Sequence, residues 1–156
     1  MHYRIFAALL AAPAAPLFAQ TPAQPGIADH SLSVPASGRW THVAVAGGSE
    51  ARFLDAAQRS QLTLTCNRAA RSVTISRPAA AAAPYLQVWT TSQRRNLPAT
   101  FNAQGAQLRA SLAANDGLLD ALAMSRGRIA VGISGQPALV APVWGEIGRL
   151  VEECRT

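Results

Sequence analysis

Ser125, His42 and either Asp116 or Asp120 are the residue types of a nucleophile, a base and an orienting acid, the set that acyl transfer requires. Their surroundings argue against that use. No Gly-x-Ser-x-Gly elbow encloses Ser125, and a helix-like stretch precedes it where a strand should. A hydroxyl at a helix C-terminus is expected to bond to the backbone instead. Glycoside hydrolysis needs two positioned carboxylates, whereas Glu146, Glu152 and Glu153 have the spacing of charges on the wet side of a helix. No residue is therefore assigned as catalytic. A small hydrolase using Ser125 or a carboxylate pair stands as the contrasting reading.

Metal chemistry has little to work with. Beyond the N-terminal twenty residues the histidines are His30 and His42, twelve positions apart. With both cysteines committed elsewhere, His and Cys cannot assemble a zinc set, and no run resembles an EF-hand loop. We expect no metal and no cofactor. All 14 basic residues are arginine, which also removes Schiff-base, P-loop and Ser-x-x-Lys chemistry.

Arginine is the remaining lead. Fourteen arginines against 8 acidic residues give a net charge of +6. Arg94 and Arg95 follow a strand-like run, and Arg126 and Arg128 flank Gly127. A guanidinium is a planar fork that grips carboxylate or phosphate at two points. These four residues are candidate contacts for an anionic envelope polymer, a lipid head group or an acidic protein. The alternative is a solvated surface on which arginine does lysine's work. No interleaved aromatic and basic motif points to nucleic acid. Tyr85 and Trp89 share one face of their run, as an exposed ligand platform or as a surface covered by a neighbouring strand.

The elements that would position these groups are short. Thr41–Ala46, Ala51–Leu54, Leu62–Cys66, Val73–Ile75, Tyr85–Thr91, Ala106–Leu112, Ile129–Ile133 and Ala138–Val140 read as strands, several with clear alternation. An edge strand is expected around Leu32–Val34. Residues 78–84 are alanine-rich between prolines and read as a loop. Asn115 and Asp116 offer an N-cap to a short helix with Leu118, Leu119 and Leu122 on its apolar face, ending by Gly127. After Pro142, the residues Trp144, Ile147, Val151 and Cys154 fall on one side of a second helix. Glu146 with Arg149, and Arg149 with Glu153, are spaced to pair on that helix's wetter side.

Residues 1–19 have a positive start at Arg4, an apolar run from Ile5 to Ala12 and small residues before Ala19, the pattern of a cleaved signal peptide. That run is too short and too proline-broken for a membrane span. Residues 20–36 read as a flexible leader and 37–156 as the folded domain. The two cysteines, Cys66 and Cys154, then face a compartment that permits disulfides. Cys66 shares its strand face with Leu62 and Leu64, and Cys154 lies on the helix's apolar stripe. One internal bridge is expected, with free thiols and an intermolecular bridge as the alternatives.

Three strings carry a resemblance: Pro142 to Arg155 (PVWGEIGRLVEECR), Leu118 to Arg128 (LLDALAMSRGR) and Leu62 to Cys66 (LTLTC). Together they resemble a group of small exported alphaproteobacterial proteins of uncharacterised function. The resemblance implies a shared fold and a shared bridge, and it implies no activity. The expected architecture is α+β: a mainly antiparallel sheet of about six strands, a short helix, and a C-terminal helix disulfide-bridged to the sheet. The expected function is a non-enzymatic periplasmic or secreted binding module. A structural envelope or assembly protein is the third reading.

Overall fold

The computed structural model describes residues 26–156, so the signal-peptide segment and the start of the leader lie outside the described residues. Strand β1 (Arg39–Val45) turns through Gly47, whose φ of +78° suits glycine, into β2 (Gly48–Leu54). There follow β3 (Ser60–Asn67), β4 (Ser72–Pro78), β5 (Tyr85–Trp89), β6 (Arg94–Pro98), β7 (Thr100–Asn102) and β8 (Gln107–Ala113). Helix α1 (Gly117–Ala123), β9 (Arg128–Ile133), β10 (Gln136–Pro142) and helix α2 (Gly145–Arg155) complete the chain.

The expected α+β class is the observed one, but the strands form two sheets rather than one. A six-stranded sheet runs β1-β2-β3-β4-β8-β7 and a four-stranded sheet runs β10-β9-β5-β6, with every pairing antiparallel. The ten strands exceed the expected six or so, and those with no counterpart among the eight runs read as strands are β6 and β7. Arg94-Arg95-Asn96-Leu97-Pro98 has a single core side chain, Leu97, and β7 has only three residues, so neither carries readable alternation.

Alternation builds the core elsewhere. Ala51, Leu64, Ile75 and Ala110 are cross-strand partners in one row across four strands, and all are buried. Onto this apolar face pack α2, through Ile147, Leu150, Val151 and Cys154, and the inner face of the four-stranded sheet, through Leu86, Val88, Val131 and Ile133. Fully burying each such side chain contributes roughly 1.5–3 kcal/mol. Cys66 and Cys154 are bridged, with Cα atoms 5.5 Å apart, which staples α2 to β3.

A side chain also ties the two sheets together. Arg77, on the core-facing phase of β4, donates through Nη1 to the Val131 carbonyl at 2.7 Å and through Nη2 to the Pro137 carbonyl at 2.9 Å. These are strands β9 and β10 of the other sheet.

Three local expectations need correction. Leu32–Val34 is not a strand; both its apolar side chains are exposed. That segment is held to the four-stranded sheet by single contacts, Ala36 N donating to the Val140 carbonyl at 2.7 Å and Arg128 to the Ser33 carbonyl. Trp144 is not on the buried stripe of α2. It is the residue before the first helical turn, extended at φ −127°, and is 43% exposed. Of the two pairings open to Arg149, the one with Glu153 forms, at 3.0 Å.

Candidate functional site

The Ser125 and His42 side chains each have other partners. Ser125 is buried at the end of α1, donates to the Arg128 carbonyl at 2.6 Å and accepts from Thr91 N at 3.0 Å, the backbone role expected for it. His42 Nε2 meets Glu153 Oε2 at 3.0 Å on the other side of the core, between β1 and α2. Asp116 is the N-cap of α1 and accepts from Leu118 N at 2.9 Å. Asp120 pairs with Arg155 at 2.8 Å. No nucleophile–base contact is formed among these residues. Among the described residues no three His, Cys, Asp or Glu side chains gather as a metal ion would require.

The four singled-out arginines do not converge. Because Arg94 and Arg95 lie in β6, strand alternation sends them to opposite faces. Arg94 pairs with Asp29 of the N-terminal segment at 2.7 Å. Arg95 grips Asp116 at two points, 3.0 and 2.7 Å, and so ties β6 to the first turn of α1. That guanidinium is the main reason the Asp116 carboxyl titrates below the usual range. Arg128 is held by the Ser33 carbonyl. Arg126 is exposed beside Thr91, Ser92 and the exposed Met124, and its side chain bonds no described residue. Three of the four guanidiniums therefore hold the chain together.

Tyr85 and Trp89 do not form an open platform. Trp89 is 3% exposed, packed with Ala130, Val140 and Ile27 and met edge-on by His30 at 5.9 Å. Tyr85 is half-buried, paired across the sheet with Pro98.

A stronger constellation lies on the outer face of the six-stranded sheet. The register places Arg52 of β2, Thr63 of β3, Ser76 of β4 and Arg109 of β8 in a single line across four strands. In the next row stand Glu50, Thr65, Thr74 and Ser111. With strands roughly 4.8 Å apart, Arg52 and Arg109 stand about 14 Å apart at their backbones. Between them the floor is made of hydroxyls, and Ser76 is buried in it. The depression holds about 460 Å³.

Its electrostatics are simple. Glu50 is the single carboxylate among the lining residues, and it is engaged by Arg52 and by the Thr65 hydroxyl at 3.2 Å. Arg109 bonds a neutral amide, Gln107 Oε1, at 3.1 Å. One guanidinium is thus left without a counter-charge in a bed of hydroxyl donors. Sequence reasoning missed this row because Arg52 and Arg109 are 57 positions apart (109 − 52) and meet only through strand order. The signal that could have found it is the outward phase of each strand: Thr63 and Thr65, Thr74 and Ser76, Arg109 and Ser111.

No protein-family model, curated protein or solved structure matches the chain.

Proposed function

We propose that this chain is an exported, non-enzymatic binding module that recognises an anionic envelope component on the outer face of its six-stranded sheet. The observation that carries the reading is the row Arg52–Thr63–Ser76–Arg109. Arg109, without a counter-charge, offers charge-assisted bonds to an oxyanion, the line of hydroxyls offers neutral donors beside it, and Arg52, already held by Glu50, closes the far end. A backbone separation of about 14 Å suits an extended polymer laid across the strands better than one small anion. The depression is open and shallow, so the ligand keeps much of its hydration and affinity comes from repeated contacts.

Export is part of the proposal. The N-terminal pattern supports it, and a buried bridge between Cys66 and Cys154 is the kind of bond that persists in an oxidising compartment. The test is binding of the oxidised protein to dextran sulfate and to uncharged dextran. The reading expects binding to the sulfated polymer alone, weakening steeply as salt rises. Equal affinity for the two polymers, or affinity indifferent to salt, contradicts it.

A further inference from the structure

The outer face of the four-stranded sheet carries a second site of different chemistry. Residues 27–36 cross this face, fixed by Asp29 to Arg94, by Ser33 to Arg128 and by Ala36 to Val140. Between this strap and the sheet is a cleft of about 230 Å³. Trp89 forms part of its wall with Ala130 and Gly132; Gln87, Gln136 and His30 supply polar groups. At roughly 30 Å³ per water, the space holds several waters or one small molecule.

Trp89 has an unmet requirement. Its indole Nε1 is buried and has no hydrogen-bond partner among the described residues. Buried donors are nearly always paired, because a lost bond costs as much as desolvation of the group. The chain's other buried tryptophan obeys the rule: Trp40 Nε1 donates to the Pro142 carbonyl at 2.7 Å. Trp89 lacks such an acceptor, and its side chain lines both this cleft and a neighbouring depression walled by Asp29 and Arg94, of which the cleft is the one whose lining includes no Asp, Glu or Arg.

We infer that this cleft binds a small neutral molecule rich in hydroxyl or carbonyl acceptors, of monosaccharide size, with the Trp89 indole N–H as one of its donors. No Asp, Glu or Arg side chain is among the cleft's lining residues, so no fixed cation there offsets the desolvation of an anion. Two carboxamides can each donate and accept, as a polyol requires. The small sheet residues Ala130 and Ala138 leave an apolar floor, with Ala28 on the strap side, the usual partner of a few convergent polar groups in a ligand site. At Gly132 an added Cβ would come within 3.2 Å of Gln87 Oε1, so the absent side chain is what lets the Gln87 amide lie in the wall.

The test follows the three indole N–H resonances by NMR in the oxidised, full-length folded protein. Glucose, N-acetylglucosamine and the anion glucuronate are titrated in turn. The expected result is a saturable shift of the Trp89 resonance with a neutral sugar, with Trp40 still. Gln136→Ala, at the exposed rim, should weaken that response by roughly two- to tenfold while leaving the remaining spectrum unchanged. Trp89→Phe identifies the resonance; if that variant does not fold, Gln136→Ala still decides the question. No saturable shift with either neutral sugar, meaning that water alone serves the indole, overturns the inference. So does a response to glucuronate as strong as to glucose, or an equal drift of all three indoles.

Discussion

Arg95 and Asp116 meet through two parallel hydrogen bonds, and the same carboxylate caps α1 by accepting from Leu118 N. One side chain thus fixes both the start of a seven-residue helix and its distance from the edge strand β6. So short a helix has no stability of its own, and its placement depends on such ties.

Asp116→Ala removes the cap and the ion pair together. The expected loss is about 1–2 kcal/mol, from a cap worth about 1 and a partly exposed pair worth a few tenths to 1. Asp116→Asn keeps a capping oxygen and should lose less. Urea unfolding near neutral pH measures both, and an alanine variant as stable as the parent contradicts this role.

Stability should fall on the acid side for a reason that can be assigned. Asp29 is held below 3.8 mainly by the Ser31 N–H, Asp55 by the Arg59 N–H, and Asp116 by Arg95. Glu153 is also held below 4.5, and in the structure it bonds Arg149 and His42, each at 3.0 Å. A carboxyl whose folded pKa is depressed contributes stability that is fully present above its unfolded pKa. That stability is lost as pH falls through the folded value. The urea midpoint is therefore expected to hold above about pH 5 and to drop steadily toward about pH 2. A midpoint unchanged over that range would show that these contacts are not made in solution.

Removing the bridge should be costly. Cys66 and Cys154 are separated by 88 positions, and closing a loop of that length is worth about 4–5 kcal/mol in the chain-entropy model. A Cys66→Ser, Cys154→Ser double variant should lose up to that amount in urea unfolding. Thiol titration of the unfolded chain should find none before reduction and both after it. Free thiols in the unreduced protein contradict the pairing.

Arg77 is expected to matter more than its position near a loop suggests. It makes two charge-assisted bonds to carbonyls of the opposing sheet, and burial lowers its pKa without discharging it. Arg77→Ala should destabilise by about 2–3 kcal/mol. Arg77→Lys should recover little, because an ammonium lacks the fork that reaches both carbonyls. Thermal unfolding of the two variants checks this, and full rescue by lysine would mean that charge alone matters.

Much of this architecture is readable from side-chain phase. The alternation of Leu62, Leu64 and Cys66, and of Leu108, Ala110 and Leu112, marks strands whose inward faces are buried as read. Asp116 before Leu118 marks the cap. What phase does not carry is which strand lies beside which. β8 sits against β4 rather than against β5, and this non-local choice brings Arg109 into line with Arg52. The same blindness made Arg94 and Arg95 look like one cluster. Without an apolar rhythm, β6 was invisible, and the alternation that parts the two arginines went with it. Trp144 shows a third limit, because helical phase counts from a start that only the Gly145 boundary supplies.

Binding of anionic polymer by the Arg52–Arg109 row can be decided by one comparison. Affinity for dextran sulfate at low salt would be measured for the parent protein, for Arg109→Ala and for Arg126→Ala. Arg109 has no counter-charge within the row, and Arg126 is equally cationic but stands apart on the α1 side. Arg109→Ala should bind about tenfold more weakly, the loss of one charge-assisted contact, and Arg126→Ala should bind as the parent does. An Arg109→Ala variant that binds as the parent does, or an Arg126→Ala variant that loses as much, would contradict binding by that row.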